Sequence, residues 1–83
     1  MPNTKNYSTR LRVLDQCLRS GHAYSGKELT EFINRELELR GEPTITSRTT
    51  LMDDLLNIEN EYHTNIVRKK HGRQTTYQYE DPN

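Results

Sequence analysis

The chain contains 83 residues, of which 30% are hydrophobic and 29% are charged, and its twelve basic residues balance its twelve acidic ones. A chain of this length forms one domain with a thin core, which argues against a deep substrate cavity, and no apolar run is long enough to span a membrane. The lone Cys17 excludes an internal disulfide, so we expect a reducing, cytoplasmic compartment.

The charges are segregated along the chain although they cancel in total. Residues 1–27 carry a net charge of +4, residues 28–61 carry −6 and residues 62–83 carry +2. Binding to a polyanion depends on local basic clusters rather than on the sum. The balanced total therefore leaves nucleic acid open as a partner, with a solvated charged surface as the alternative.

The first predicted element is a helix that ends near Ser20. Its apolar residues recur at steps of four, three and four, the spacing of one helical face: Tyr7, Leu11, Leu14 and Leu18. Gly21 follows directly, as is typical after the last turn of a helix. Cys17 lies at the edge of the face, where we expect it to act as a small hydrophobic residue.

The second predicted helix begins at a capping box, in which Ser25 caps the helix and Glu28 reaches back to it. Tyr24 and Leu29 occupy the two positions of a hydrophobic staple. The predicted apolar face consists of Leu29, Phe32, Ile33 and Leu37, and Gly41 with Pro43 ends the helix. Its outer side is acidic, so we expect it to point away from any nucleic acid, and contains Glu28, Glu31, Glu36 and Glu38.

The third predicted helix spans about 47–60, with Ser47 as N-cap and Asn60 as a left-handed C-terminal residue. The buried stripe repeats the spacing of the first helix: Leu51, Leu55, Ile58 and Tyr62. Opposite that stripe the pattern predicts a polar, lysine-free face of Thr49, Asp53, Asn57 and Asn60, flanked by Thr50, Met52 and Leu56.

Two β-prone runs, 66–69 and 74–79, follow with a glycine-containing gap between them, which predicts a hairpin. Four cations lie in or beside its tip: Arg68, Lys69, Lys70 and Arg73. Tyr77 and Tyr79 share one face of the second strand, so we expect them to pack against the helices rather than to stack on bases.

Three helices followed by a basic hairpin predict a mainly α fold with a small β-hairpin, the winged helix-turn-helix. In that fold the recognition helix enters the DNA major groove. A cationic hairpin can then reach the adjacent backbone or minor groove. We therefore expect double-stranded DNA as the partner, with the third helix, about 47–60, reading bases and the hairpin, about 66–79, neutralising phosphates.

The segments together resemble the N-terminal winged helix of bacterial WYL-domain transcriptional regulators. The resemblance rests on Arg10-Leu11 through Leu14-Asp15 and Leu18-Arg19, Ser25 with Glu28-Leu29, Ser47-Arg48-Thr49-Thr50-Leu51 with Asp54-Leu55, Tyr62, Ile66 and Tyr77-Gln78-Tyr79-Glu80-Asp81-Pro82. It covers residues 7 to 82, and the order and spacing of the motifs carry it. It implies that the domain, 1–83, is part of a longer regulator whose remaining portion senses an effector, and that any homodimer forms through regions absent from this chain.

The resemblance also implies roles for individual residues. Ser47 would cap the recognition helix, Arg48 and Thr49 would lie near DNA, and Thr50 and Asp54 would be structural. Family members often carry arginine where Thr49 stands and a basic or neutral residue where Asp53 stands, so the hairpin and the N-terminal basic residues would supply more of the electrostatics here. The complete set of DNA-binding candidates is Ser47, Arg48, Thr49, Thr50, Met52, Asp53, Asn57, Arg68, Lys69, Lys70 and Arg73.

Nothing in the sequence points to catalysis, a cofactor or a metal. The three histidines, His22, His63 and His71, are scattered and lack metal-site spacing with Cys17. The glycines stand singly, so no phosphate-binding loop occurs. The competing hypothesis is a winged helix that binds protein instead of DNA, favoured by the acidic second helix and by the expected exposure of Met52 and Leu56.

Overall fold

The structure is a computed structural model that describes residues 4–80, with side chains from residue 7. Its elements are α1 (Thr4–Arg19), β1 (Tyr24–Ser25), α2 (Gly26–Leu39), α3 (Arg48–Glu61), β2 (Ile66–His71) and β3 (Gln74–Tyr79). This order confirms the predicted mainly α fold with a small hairpin and has the layout of a winged helix. Asp81 and Pro82, the last residues of the family resemblance, lie outside the described residues.

The three strands form one antiparallel sheet in the order β1-β3-β2. The two-residue β1 was not predicted, because a segment so short has no periodicity to detect. The hairpin β2–β3, termed the wing below, turns through Gly72 and Arg73 alone, since His71 pairs with Gln74. Gly72 has a φ of 64°, a value that glycine adopts without strain.

The helices pack their predicted apolar faces into one core that also takes in the strand tyrosines. Leu14, Leu18, Ile33 and Leu55 are fully buried there. Tyr77 and Tyr79 are 7% and 3% exposed, which confirms their packing role. None of the helices within 4–80 is long and apolar enough to cross a membrane.

The start of α2 is fixed by the predicted capping box. The Ser25 hydroxyl accepts from the Glu28 amide at 3.2 Å, and the Glu28 carboxylate accepts from the Ser25 amide at 2.9 Å. Ser25 is also the strand residue that pairs with Thr76 of β3. The cap therefore holds the first turn of α2 against the sheet.

Phe32 is not a core residue, contrary to the sequence prediction. It is 36% exposed, and its ring meets the Tyr24 ring edge-on at 5.1 Å between centroids. One residue turns a helix by about 100°, so Phe32 stands well off the line of Leu29, Ile33 and Leu37 that faces the core. The buried stripe of α2 is narrower than the sequence pattern indicates.

Helix α3 begins at the predicted Ser47 cap, whose hydroxyl accepts from the Thr49 amide at 3.2 Å. Its predicted end is wrong, because Asn60 lies within the helix and Tyr62 forms the C-cap, donating its amide to Ile58 O. The left-handed residue is His63, with a φ of 51°. Tyr62 therefore falls outside the helical repeat and is 42% exposed instead of buried.

A buried ion pair joins α1 to α3. Asp54 is 1% exposed, and its carboxylate accepts from Arg10 Nε at 2.7 Å and from Arg10 Nη2 at 3.3 Å. Burial raises the pKa of Asp54, and the Arg10 hydrogen bonds and charge oppose that rise. The Tyr7 hydroxyl also donates to Glu61, near the far end of α3. The burial of Asp54 agrees with the structural role that the family resemblance implies.

The segment that leads into α3 is anchored by Asn34 of α2. Its side-chain amide donates to Ile45 O at 3.0 Å, and its carbonyl accepts from the Ile45 amide at 2.9 Å. This pairing satisfies the extended backbone just before Ser47 as a neighbouring strand would. Asn34 thereby fixes where the first turn of α3 lies relative to α2.

Candidate nucleic-acid interface

Three elements meet at a groove of about 540 Å³ on one side of the molecule. The first turn of α2, the first turn of α3 and the start of β3 form its walls. Its lining residues are Ser25, Gly26, Lys27, Thr30, Glu31, Thr46, Ser47, Arg48, Leu51, Met52, Arg73, Gln74, Thr75 and Tyr77. We call it the cation groove, because α2, α3 and the turn that precedes β3 each contribute one cation.

The cations of this groove are Lys27, Arg48 and Arg73. All three are exposed, and none makes an ion pair with any residue in the described part of the chain. The only carboxylate among the lining residues is that of Glu31. The groove thus combines a net positive charge with cations that no ion pair among the described residues neutralises.

Two helix N-termini open onto the same groove. The first amides of a helix lack intrahelical acceptors, and the macrodipole places about half a positive charge at that end. In α2 the Glu28 carboxylate already offsets part of this charge through the capping box. In α3 the first turn contains no acidic residue. The positive end of α3 is therefore the less neutralised of the two.

The predicted polar face of α3 is exposed only in part. Thr49 and Asp53 are exposed, whereas Thr50 and Asn57 are half-buried. Met52 is half-buried and packs against the core, so its expected exposure is wrong. Met52 lines the cation groove together with Ser47 and Arg48.

The four predicted wing cations do not form one cluster, because strand side chains alternate between two faces. Arg68 pairs with Tyr77 and Lys70 with Thr75, and residues directly opposite each other share a face. Since Tyr77 is buried against the helices, Arg68 and Lys70 lie on the helix side of the wing. Lys69, opposite Thr76, lies on the outer side.

Arg68 already makes two electrostatic contacts within the protein. Its Nη2 lies 3.8 Å from Glu59 Oε1, and its guanidinium lies over the Tyr77 ring at 6.0 Å from the centroid. Glu59 also accepts from the Ile66 amide at 3.0 Å, which holds the carboxylate at the base of the wing. Among the predicted wing cations, Arg68 is thus less available for an external anion than Lys70 or Arg73.

Two of the N-terminal basic residues that were expected to supplement the wing, Arg10 and Arg19, are engaged within the fold. Arg10 is bound to Asp54 with only 14% of its side chain exposed. Arg19 donates to Asp15 at 2.8 Å and lies over the Tyr79 ring at 5.8 Å. Lys27, another of these N-terminal basic residues, was not named as a DNA-binding candidate, although the capping box places it in the first turn of α2.

No protein-family model, curated protein or solved structure matches this chain. Within the described range, no three His, Cys, Asp or Glu side chains come together in a group that could hold a metal ion. Cys17 is half-buried and makes no disulfide, and burial raises the pKa of its thiol. The geometry and charge of the cation groove are therefore what bear on function.

Proposed function

We propose that this chain binds double-stranded DNA as a winged helix-turn-helix domain. The first turn of α3 enters the major groove, and the wing lies on the adjacent backbone or minor groove. One observation carries the proposal: Lys27 of α2, Arg48 of α3 and Arg73 of the wing turn surround one groove, and none of them forms an ion pair with a residue of the described chain. Three uncompensated cations around two helix N-termini are suited to phosphates.

An extended polyanion fits this arrangement better than a single small anion. The cations of the groove come from separate segments of the chain, and Lys70 on the helix side of the wing adds positive charge beyond it. A duplex carries one negative charge per about 1.7 Å of its axis, so separate cations can each meet a different phosphate.

The charge along α3 favours one docking orientation. Arg48 stands at the first position of the helix, whereas Asp53, Glu59 and Glu61 follow toward its other end. A DNA backbone would attract the first turn and repel the last. We therefore expect α3 to approach the duplex with its N-terminus foremost, placing Thr49 and Asp53 nearest to base edges.

The family resemblance extends the proposal from DNA binding to transcription regulation. By that resemblance, the domain would belong to a longer bacterial regulator of the WYL-domain class that reads a specific operator. Residues Thr49 and Asp53 are the candidates for base readout, because hydroxyl and carboxylate side chains can pair with base edges in the major groove.

The test is a salt-dependent titration of a fluorescein-labelled duplex, followed by anisotropy. Three to five phosphate contacts predict a log–log slope of about −3 to −4.5 and a micromolar or weaker affinity for random sequence. The double variant Arg48→Ala, Arg73→Ala removes two cations and should flatten the slope by about two units.

Arg40→Ala is the matched control, because Arg40 is an exposed arginine at the opposite end of α2. The 14 residues of α2 place it roughly 20 Å from the groove along the helix axis. It should leave the slope unchanged. The absence of binding at low salt, or an equal effect of both variants, would contradict the proposal. Such a result would favour the alternative of a protein-binding winged helix, which is supported by the 54% exposure of Leu56 on α3.

A further inference from the structure

A second surface, formed by α1 and α2, shares no lining residue with the cation groove. It is a shallow groove of about 310 Å³ that contains Val13, Cys17, Tyr24, Phe32 and Leu39. Leu39 is 79% exposed and Phe32 is 36% exposed, although both are large apolar side chains. Apolar residues that line one groove mark a surface suited to a partner more than scattered ones do.

The exposed residues of α2 on this surface lie along the helix. Phe32 and Leu39 are two turns apart and differ by only about 20° around the axis, since each residue adds about 100°. Arg35 lies between them, displaced to one edge, and lines the same groove. We refer to Phe32, Arg35 and Leu39 as the α2 stripe. Glu38 lies about 60° beyond Arg35 on the same edge.

We infer that a second copy of this chain covers the α2 stripe, forming a homodimer through two antiparallel α2 helices. In a two-fold interface the same patch of both copies meets itself, so the patch must be self-complementary. When two helices pair antiparallel about such an axis, each edge of one helix faces the same edge of the other. The edge of α2 that carries both Arg35 and Glu38 is therefore complementary to its own copy.

The register follows from this charge pair. If Arg35 of one copy meets Glu38 of the other, the two-fold axis passes between the levels of residues 36 and 37. That register puts Leu39 of the second copy at the level of residue 34, between Phe32 and Arg35. The protruding leucine would then enter the apolar groove, and each of these contacts would occur twice.

Nothing within the described chain competes strongly for these groups. Neither Arg35 nor Glu38 makes an ion pair with any residue between 7 and 80. The nearby pair of Arg40 and Glu36, at 2.9 Å, is exposed on both sides, so its loss or exchange would cost little. A contact of this limited size fits a weak dimer with a micromolar or higher Kd.

Sedimentation equilibrium over a wide range of protein concentration tests the inference. The wild type should show a reversible monomer–dimer equilibrium. Arg35→Glu places two carboxylates against each other at both symmetric contacts, and Leu39→Ala removes both inserted side chains. Each should raise the dimer Kd by about tenfold or more. Both positions are exposed, so circular dichroism should show an unchanged fold.

A charge swap separates the specific pairing from general surface effects. Glu38→Arg alone should weaken the dimer as Arg35→Glu does, and the double variant Arg35→Glu, Glu38→Arg should restore it. Leu56→Ala, an exposed leucine on α3, is the control that should leave the association unchanged. The inference is overturned if the wild type stays monomeric or forms open-ended oligomers, if the swap fails to restore the dimer, or if Leu56→Ala weakens it as much as Leu39→Ala.

Discussion

Two groups of cations in this protein have different environments, which a count of charges along the sequence does not distinguish. Arg10 and Arg19 on α1 each donate to a carboxylate of the protein, Asp54 and Asp15 respectively. Arg48 and Arg73 stand at a groove with no such partner among the described residues. A count of basic residues per segment gives both groups equal weight. The comparison shows that the tertiary structure, and not the count of basic residues, decides which cations are paired within the fold.

The largest effect is the loss of stability expected when the ion pair between Arg10 and Asp54 is broken. Asp54→Ala leaves Arg10, whose side chain is only 14% exposed, without its partner and should lower the free energy of unfolding by about 3–5 kcal/mol, as measured by urea denaturation. The double replacement Arg10→Met, Asp54→Leu removes both charges and should recover most of that loss. A cost below about 1 kcal/mol for Asp54→Ala would mean that the pair is not what joins α1 to α3.

A smaller effect is expected where α3 would meet the bases. Thr49→Ala or Asp53→Ala should change the preferred DNA sequence, by about 1–3 kcal/mol at one or two base pairs. Asp53→Ala should also raise non-specific affinity, because it removes a repulsive charge. Selection from a randomised duplex pool measures both effects. An unchanged selected motif in both variants would assign base readout to another element.

The Tyr79–Asp15 hydrogen bond should make the stability of the fold depend on pH in the alkaline range. The Tyr79 hydroxyl donates to Asp15 at 2.7 Å, and burial, followed by this bond, raises the pKa of Tyr79. Because the pKa of Tyr79 is higher in the folded state than in the unfolded one, the free energy of unfolding should fall as the pH rises above about 10.

Tyr79→Phe should abolish that part of the alkaline decline and cost about 0.5–1.5 kcal/mol at neutral pH. Chemical denaturation at a series of pH values checks both effects. Tyr77→Phe is the matched control, since the other strand tyrosine has no hydrogen bond to Asp15. An identical alkaline decline in wild type and Tyr79→Phe would refute the assignment.

The smallest expected effect is a difference in DNA binding between variants of two neighbouring lysines of the wing. Lys70 lies on the helix side, which the cation groove shares, and Lys69 lies on the outer side. Lys70→Ala should flatten the salt slope of DNA binding by about one unit, and Lys69→Ala by less. Neither should alter the selected sequence, because lysine meets phosphate as a point charge. A larger effect of Lys69→Ala would place the outer face of the wing on the DNA.

Local sequence patterns predict the helices well because their determinants are local. The capping box at Ser25 and the cap at Ser47 lie where the sequence places them, since each needs only the next few residues. The end of α3 was misplaced because a residue type favoured after helices, Asn60, does not stop a helix whose backbone bonds continue to Tyr62. The pattern alone also could not tell that Phe32 lies off the line of the buried residues.

The features that sequence reasoning did not reach depend on distant pairs. The bond between Arg10 and Asp54 spans 44 positions, and no local periodicity reports it. The groove likewise brings together Lys27 and Arg73, which are far apart in the sequence. The predicted DNA contacts at Arg48 and Arg73 share that groove, whereas Arg68 is drawn to Glu59. Whether a basic residue is free to meet an external anion thus depends on the tertiary structure.

The most direct test of the DNA-binding proposal is a ¹⁵N–¹H correlation NMR titration with a short duplex at low salt. The cation groove predicts the largest amide shifts in three separate segments, the first turn of α2, the first turn of α3 and the residues around Arg73. The amides near the α2 stripe should stay in place when spectra are compared at equal protein concentration. No shifts at low salt, or shifts concentrated on the α2 stripe with the cation groove unchanged, would contradict the account.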